Sequence, residues 1–374
     1  MGADQGGDFP RGKICMNNAS VSPNPAGMVR AVARFLEEYS VMGPDTEASD
    51  EFVTSMLGRT RDAVSRLIGC RPAEIVLTQS TTDGINAVSR GLSMPRGSSV
   101  IIRGGAHEHH ANYYPWLRTG AEVRSIPIDK HGSFDTSLLR GMIDGGTRVA
   151  ALSHALYNTG AVMPAEETGE ILESAGVPYF VDAAQTVGCM KVDVSRLRCS
   201  FMSFNGSKWL CGPMGTGLFY CREDAADTLE PISTGGESAD LGDSGLEYKK
   251  MPERFQTGFR NYAGMAGLEY SLGIISDVGV GAIQERAARL SRRLRDGIGR
   301  IPGSMLYGPE EGRTSIVPFN LQGVDPADAV KRLEEQGIVL ALREITDLKI
   351  IRASPHFFNT GEEVDRVLEA LAGL

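Results

Sequence analysis

Apolar positions recur with two different periods along the chain between Pro25 and Val278. In Met28–Tyr39 and Phe52–Ile68 they fall three or four residues apart, which predicts two amphipathic helices. Short apolar runs of strand length follow, namely Glu74–Leu77, Ser99–Ile102, Glu122–Ile126, Val149–Ser153, Tyr179–Val181, Phe201–Phe204 and Gly217–Tyr220. Segments of helical character separate several of them, namely Thr82–Leu92, Pro115–Thr119 and Glu166–Ala175. This alternation predicts an α/β fold with a mostly parallel sheet sandwiched by helices.

The pattern changes towards the C-terminus. The pattern over Ala263–Arg300 predicts a long helical stretch that bridges to a second unit. A smaller α+β unit follows, with strands predicted at Val317–Leu321, Val339–Leu342 and Leu348–Ala353 and helices at Pro326–Gln336 and Glu362–Leu371. We therefore expect a large domain over residues 20–270 and a small domain over 271–374, which residues 1–19 can join. The segment Ser233–Gly245 is rich in Gly, Ser and Asp and is predicted to be a mobile loop.

Composition and charge narrow the class of protein. Of the 374 residues, 41% are hydrophobic and 23% charged, as in ordinary folded proteins. The net charge of −9 argues against a nucleic-acid partner or an anionic membrane surface. Residues 1–13 contain no hydrophobic stretch, so we expect a loose arm and no secretory signal. The six cysteines are scattered without a Cys-x-x-Cys pair, which favours reduced thiols in a cytoplasmic protein over disulfides or a zinc site.

One lysine stands in the loop that follows the apolar run Phe201–Phe204, within Asn205-Gly206-Ser207-Lys208-Trp209. Burial lowers the pKa of a lysine, and an amine with a lowered pKa can form an imine with a carbonyl cofactor. The sequence therefore makes Lys208 a candidate nucleophile. An exposed loop lysine is the alternative interpretation.

A carboxylate ends the apolar run Tyr179–Val181, 26 residues before that lysine. A carboxylate at a strand end can keep a pyridine nitrogen protonated, which makes the ring an electron sink. Gln185, three residues after Asp182, is placed to bond to the phenolic oxygen of such a ring. The alternative for Asp182 is an ordinary helix N-cap.

The segment Leu77–Gly84 runs from a predicted strand into a predicted helix and contains several hydroxyl side chains. Backbone N–H groups, the helix dipole and these hydroxyls together form a site for a phosphate group. Ser207 can add another hydroxyl to the same phosphate. Capping of the helix by Ser80 or Thr81 is the alternative explanation.

Histidines cluster in Ala106-His107-Glu108-His109-His110-Ala111-Asn112. A metal site is one interpretation, but no second group of ligands accompanies the cluster, so we expect no metal. We favour a histidine that lies on an aromatic cofactor ring.

Further along, Arg352 leaves the predicted strand Leu348–Ala353, where a guanidinium can bind a carboxylate with two hydrogen bonds. The alternative for Arg352 is a surface ion pair.

From about Asn17 to Leu374, the chain resembles the class V aminotransferase family of fold-type-I pyridoxal 5'-phosphate (PLP) enzymes, above all its cysteine-desulfurase and selenocysteine-lyase branch. The order and spacing of several motifs carry the resemblance. They are Ser-Thr-Thr-Asp-Gly-Ile-Asn (80–86), Glu-His-His-Ala-Asn with Pro-Trp (108–116), Val-Asp-Ala-Ala-Gln (181–185), Ser-Lys with Gly-Pro and Gly-Thr-Gly (207–217), Asn-Tyr-Ala-Gly with Gly-Leu (261–268) and Arg-Ala-Ser with Phe-Asn-Thr and Glu-Glu-Val-Asp-Arg (352–366).

The resemblance implies a role for each candidate residue. It makes Lys208 the Schiff-base lysine, stacks His109 on the PLP ring, pairs Asp182 with the ring nitrogen and brings Gln185 to the phenolic oxygen. It assigns the phosphate to Thr81, Thr82 and Ser207 and the substrate carboxylate to Arg352. Loops around Tyr157-Asn158 and Ser238–Gly245 are predicted to surround the substrate, so Asn158 is a second candidate contact. The family resemblance also implies a homodimer with shared active sites.

Two departures from the family pattern affect this prediction. Where a neighbouring subunit's Gly-Thr step normally reaches the phosphate, this chain has Gly258-Phe259, so the contact is lost or passes to Thr257. Persulfide-forming desulfurases carry a cysteine shortly before the C-terminal Arg-Ala-Ser, whereas here no cysteine follows Cys221. Cys211 lies in the Lys208 loop, where a small buried side chain is the simpler explanation.

We therefore predict a cytoplasmic PLP-dependent C–S lyase that acts on a cysteine-like amino acid without an enzyme persulfide. An aminotransferase or an amino-acid epimerase shares the first chemical steps and stays open as an alternative. A non-catalytic binding protein that retains the fold is an alternative of another class. A dinucleotide enzyme is disfavoured because Gly279-Val280-Gly281 lies within a predicted helix and follows no strand.

Overall fold

The structure is a computed structural model that describes residues 7–103, 108–129, 131–243 and 245–374. Its strands are β1 Ile14–Cys15, β2 Ile75–Thr78, β3 Ser99–Arg103, β4 Glu122–Ile126, β5 Thr147–Ser153, β6 Tyr179–Asp182, β7 Phe201–Asn205, β8 Gly217–Cys221, β9 Ala239–Gly242, β10 Gly245–Tyr248, β11 Ser304–Leu306, β12 Val317–Leu321, β13 Ile338–Val339, β14 Ala341–Ile345 and β15 Leu348–Ala353. Its α-helices are α1 Ala26–Met42, α2 Glu47–Ile68, α3 Thr81–Gly91, α4 Tyr114–Leu117, α5 Ser137–Met142, α6 Ala165–Ser174, α7 Val194–Leu197, α8 Tyr262–Val278, α9 Val280–Gly299, α10 Pro326–Glu335 and α11 Gly361–Ala372.

A central seven-stranded sheet has the order β2-β8-β7-β6-β5-β3-β4. Strand β8 is antiparallel to both of its neighbours, and the other pairings are parallel. Alternate residues of β3 point to opposite faces, and both faces are buried: Ile101 packs in one apolar cluster, and Val100 and Ile102 pack in another. The predicted mostly parallel sheet covered by helices on both faces is therefore confirmed.

A second, four-stranded antiparallel sheet has the order β11-β12-β15-β14. Its core contains Phe319 and Ile351 from the sheet and Leu294 from α9. Met16 belongs to the same core, and β1 pairs in parallel with β13, so the N-terminal residues pack with the C-terminal ones. Helix α8 instead packs on α1 and α2. We therefore propose that the two units divide at the junction of α8 and α9, a few residues after the expected boundary at 270.

The predicted helical stretch Ala263–Arg300 is helical, but it is divided into two helices. Helices α8 and α9 meet at Gly279 with a bend of 81°. Gly279 has a φ of +79°, a left-handed conformation that ends a helix and favours glycine. The apolar pattern continues through the bend because α8 and the first turns of α9 pack in the core of the central sheet, whereas Leu290, Leu294 and Ile298 of α9 pack in the core of the second sheet. No single helix in the described ranges has the length and apolar character to cross a membrane; only the bent pair, taken together, meets those criteria.

The prediction of a mobile loop over Ser233–Gly245 was also wrong in part. Strands β9 and β10 form an antiparallel hairpin in which Leu241 is opposite Leu246. Both leucines are exposed, at 87% and 55%. The hairpin was missed because these two leucines face no apolar core formed by the described residues, so the sequence showed only the Gly/Ser/Asp composition of a turn.

Candidate active site

Six of the predicted site residues line one cavity of about 130 Å³ at the carboxyl ends of the central strands; they are Thr81, Thr82, His109, Asp182, Gln185 and Lys208. This is the edge where the loops of a parallel sheet gather. Residues far apart in the chain meet there because β6 and β7 lie side by side and α3 begins close to β7. His107, from the same predicted histidine cluster, lies outside the described residues.

Lys208 lies in the tight loop that follows β7. The backbone N–H of Cys211 donates to the carbonyl of Lys208 at 3.0 Å, and Cys211 adopts a φ of +56°, which folds the chain back on itself. Burial lowers the pKa of Lys208 to about 8; Asp182 opposes this shift, and Arg352 adds to it. The amine is therefore far easier to deprotonate than an exposed lysine.

Asp182 ends β6, and its Oδ1 accepts a hydrogen bond from the backbone N–H of Ala184 at 2.9 Å. Burial and the negative charge of Glu108 raise the pKa of Asp182 to about 6, while the backbone N–H of Ala184, Lys208 and Arg103 oppose the shift. Among the described residues, this buried carboxylate thus lacks a positive partner that outweighs its burial. A protonated ring nitrogen in the cavity would supply one.

His109 is neutral at pH 7. Its Nδ1 accepts a hydrogen bond from the backbone N–H of Ala111 at 3.2 Å, so the remaining proton of the neutral ring lies on Nε2. Burial lowers the pKa of His109 to about 4, and the nearby cations Lys208 and Arg352 add to the effect. The ring packs edge-on against Tyr157 with centroids 5.0 Å apart.

Gln185 is held at both ends of its side-chain amide. Its Oε1 accepts from the indole Nε1 of Trp209 at 2.9 Å, and its Nε2 donates to the carbonyl of Ala19 at 2.9 Å. The second N–H of Nε2 stays available as a donor in the cavity that Gln185 lines. This fixed orientation suits a donor to a phenolic oxygen.

The start of α3 forms the opposite end of the cavity. Ser80 caps the helix by accepting from the backbone N–H of Asp83 at 3.2 Å. Helices leave their first N–H groups without partners inside the helix, so Thr81 and Thr82 can present theirs to an anion. A Cβ on Gly217 would lie 2.3 Å from the backbone nitrogen of Ser80, so only glycine allows β8 to approach this turn.

The predicted phosphate ligand Ser207 does not line the cavity, but it is connected to it. The Oγ of Ser207 accepts from Nδ2 of Asn205 at 2.8 Å, and Asn205 lines the cavity and accepts a long hydrogen bond from Thr81 at 3.5 Å. Asn205, which sequence reasoning did not assign to this site, therefore links the two predicted phosphate contacts. Only its position two residues before Ser207 could have indicated it.

The two predicted substrate contacts, Arg352 and Asn158, lie beside the cavity and do not line it. Arg352 is 1% exposed and donates to the Oγ of Ser20 at 2.6 Å. Its buried Nε has no hydrogen-bond partner in the described part of the chain. Asn158 donates from Nδ2 to the carbonyl of Glu344 at 3.0 Å and accepts from the backbone N–H of Thr159, so it connects its own loop to β14. A substrate contact by Asn158 stays a prediction.

Sequence reasoning missed a second arginine. Arg343 on β14 donates to the same hydroxyl of Ser20 as Arg352. The register pairs Ala341 with Arg352, so Arg343 is two residues further along on the same face of the hairpin. A hairpin prediction with a two-residue turn after Ile345 would have revealed this pairing.

Across the described residues, no group of His, Cys, Asp and Glu side chains could hold a metal ion.

The aminotransferase class-V family model matches residues 14–367. The chain belongs to the class-V aminotransferase family. It is accordingly a PLP-dependent enzyme. A probable cysteine desulfurase from Methanothermobacter thermautotrophicus is 32% identical to this chain, and the alignment covers 98% of this chain and 97% of that protein.

Two solved structures of the protein C-DES also resemble the structure of this chain. One is a C-DES variant with glycine covalently linked to its PLP cofactor; it has a TM-score of 0.91, 25% identity and 98% coverage of both chains. The other is the cystine C-S lyase C-DES in complex with its reaction product cysteine persulfide; its TM-score is 0.88 at 25% identity, with 96% of this chain and 97% of that chain covered.

The residues of the cavity are suited to PLP. The anion site at the start of α3 suits the phosphate, and the amide donor of Gln185 suits the phenolic oxygen. The buried carboxylate of Asp182 suits the protonated ring nitrogen, and the buried amine of Lys208 suits the aldehyde. Each of these protein groups is complementary, in charge or in hydrogen bonding, to the PLP group that it would face. The structure thus gives a physical basis for the family's cofactor.

Proposed function

We propose that this enzyme is a C–S lyase that cleaves the β-carbon–sulfur bond of cysteine or a related amino acid such as cystine, without forming an enzyme persulfide. The supporting observation is the turn between β14 and β15. Ile345 pairs directly with Leu348, so only Thr346 and Asp347 connect the strands. This two-residue turn leaves no loop that can carry a cysteine to the cavity.

The positions of the thiols also support elimination without a persulfide. None of the six cysteines is among the described residues that line the cavity. Cys211 is the nearest in sequence to Lys208, but burial raises the pKa of its thiol to about 12. A thiol with so high a pKa is a poor nucleophile at neutral pH.

Bound PLP supplies an aldehyde for the substrate amine and a ring that accepts the electrons of the broken bond. We assign the α-proton to the Nζ of Lys208, because burial gives this amine a pKa near the operating pH of a general base. Asp182 holds the ring nitrogen, and neutral His109 contributes an uncharged ring surface. Arg352 binds the substrate carboxylate, for which its unpartnered Nε is a free donor.

The family's alternative outcomes are separated by product analysis. The purified PLP-loaded enzyme is incubated with cysteine, cystine, alanine and aspartate, and sulfide, persulfide, pyruvate, alanine and keto acids are measured. We expect pyruvate from a sulfur amino acid without an added keto acid. Alanine in place of pyruvate would indicate desulfuration, a requirement for a keto acid would indicate transamination, and racemised substrate would indicate an epimerase. Each of these results would contradict the proposal.

We also propose that the enzyme is a homodimer. Leu241 on the β9–β10 hairpin, Phe259 and Met214 expose 87%, 85% and 71% of their surface. Large apolar side chains so exposed are typical of an interface. Gly258-Phe259 matches the step that, in the family, reaches the phosphate in the active site of the neighbouring subunit. A second copy of this chain is therefore the partner that we favour.

All six cysteines are free thiols, in keeping with the cytoplasmic location that we propose.

A further inference from the structure

A fully buried ion pair lies under the cavity. The Nη2 of Arg103, the last residue of β3, donates to the Oε2 of Glu108 at 3.1 Å, and neither side chain is exposed. The Nε and Nη1 of Arg103 have no hydrogen-bond partner in the described ranges. Buried arginines ordinarily satisfy their donors, and a buried ion pair costs desolvation energy. Fold stability is therefore a poor explanation for this arginine, and its positive charge is a better one.

Glu108 contacts His109 directly and reaches Asp182 through the neighbouring strand residue Ser153. Its Oε1 accepts from the backbone N–H of His109 at 3.1 Å. The same oxygen accepts from the hydroxyl of Ser153, and Oε2 accepts from the backbone N–H of Ser153 at 3.4 Å. Ser153 is the register partner of Asp182 on the adjacent strand. One carboxylate thus ties the start of the His109 segment to the strand end beside Asp182.

The charges around Asp182 depend on the same pair. The negative charge of Glu108 raises the pKa of Asp182, whereas the positive charges of Lys208 and Arg103 lower it. Without Arg103, the negative charge of Glu108 would act on Asp182 without compensation. With Arg103, the negative charge of Glu108 is balanced by its ion-pair partner, and Asp182 can serve the ring nitrogen.

We propose that Arg103 is a positioning residue that acts through Glu108: the pair holds His109 and Asp182 in place and sets the charge felt by PLP between them. The proposal rests on the assignment of the ring to the space between His109 and Asp182. It does not depend on which amino acid the enzyme cleaves or on the outcome of that reaction.

The test uses the PLP-loaded enzyme and the variants Arg103→Met, Glu108→Gln and the double variant. The readouts are the PLP dissociation constant and the pH midpoint of the visible absorbance band. Arg103→Met leaves an uncompensated negative charge, which favours protonated forms of the bound cofactor, so we expect the midpoint to rise by about one pH unit. Glu108→Gln leaves an uncompensated positive charge and lowers the midpoint by a similar amount. The double variant returns it close to the wild-type value.

A purely structural role predicts a different pattern. Both single variants would then unfold at lower temperature without opposite shifts of the absorbance midpoint, and this result would overturn the proposal. Because a methionine variant can fail to fold, Arg103→Lys is measured as well; it retains the charge and should keep the wild-type midpoint, and a shift as large as that of Arg103→Met would also overturn the proposal. Arg254→Met removes another largely buried arginine, whose ion-pair partner Asp227 is exposed, and should leave the midpoint unchanged.

The absorbance test also separates this inference from the proposed reaction. If the enzyme proves to be an aminotransferase or an epimerase, the visible band and its pH midpoint remain measurable. If product analysis supports the lyase but the single variants do not shift the midpoint in opposite directions, only the role of Arg103 and Glu108 is lost.

Discussion

Arg343 and Arg352 share one hydrogen-bond acceptor, the hydroxyl oxygen of Ser20, with donor–acceptor distances of 2.5 and 2.6 Å. Neither guanidinium forms an ion pair with a carboxylate in the described part of the chain. Burial lowers the pKa of Arg352 to about 9, and the neighbouring charge of Arg343 contributes to this shift. Two adjacent cations with only neutral partners form a favourable site for an incoming carboxylate.

We expect Arg352→Lys to weaken substrate binding. A lysine cannot reproduce the planar pair of donors, and loss of such a contact to a buried charge costs about 2–5 kcal/mol. The KM for the sulfur amino acid should therefore rise at least about 30-fold, with a smaller change in kcat. Steady-state kinetics measures both constants. Arg332→Lys, at an exposed arginine of α10, serves as the control; an unchanged KM for Arg352→Lys would refute the assignment.

Arg343→Lys tests whether the second cation takes part in substrate binding. Arg343 is only half buried, so we expect a smaller rise in KM than for Arg352→Lys. The effect should shrink at high ionic strength, because salt screens the more exposed charge. KM measured in low and high salt provides the test, and equal effects of the two variants at both salt concentrations would contradict this ranking.

Lys208→Ala should abolish both turnover and the visible absorbance band of the PLP-loaded enzyme, because the variant lacks the amine that captures the aldehyde. The measurements are an absorbance spectrum after incubation with PLP and a pyruvate assay. Lys191→Ala removes an exposed lysine and should preserve both signals. If the band and the turnover survive in Lys208→Ala, the assignment of the nucleophile is wrong.

The buried amine also predicts a pH-dependent stability of the PLP-free protein. Burial lowers the pKa of Lys208 from 10.5 to about 8, so the folded protein loses the proton more readily than the unfolded chain. Burying the charged amine then destabilises the fold by about 3 kcal/mol below pH 8, and the penalty disappears as the pH rises towards 10.5. Lys208→Met removes this penalty.

We therefore expect PLP-free Lys208→Met to be more stable than the PLP-free wild type at pH 7, with a difference that narrows between pH 8 and pH 10.5. Urea unfolding at several pH values measures the difference in free energy of unfolding. Lys191→Met, at an exposed position, should show no such difference. A difference that stays constant over this pH range would show that the amine is not buried in its charged form.

Chemistry was easier to predict from the sequence than geometry. Lys208 and Asp182 follow buried strands, and strand ends in a parallel sheet meet at one edge, so periodicity alone predicted that the two would lie close together. The break at Gly279 was not predictable, because an apolar pattern does not show when a helix changes the core against which it packs. Arg343 and Arg103 were missed for a related reason: a charged residue in a strand pattern looks exposed until the register and its buried partner are known.

The β9–β10 hairpin provides the test of the proposed dimer. Leu241 and Leu246 are cross-strand partners that belong to no apolar core among the described residues, so a charge at these positions costs little in the isolated subunit. Leu241→Asp combined with Leu246→Asp should therefore halve the mass measured by light scattering in solution, because burying two carboxylates at an apolar interface is strongly unfavourable. Met305→Asp, at an exposed position on β11, is the matched control and should leave the mass unchanged. If the double variant keeps the wild-type mass, the hairpin lies outside the interface. If the wild type itself has the mass of one chain, the homodimer is excluded.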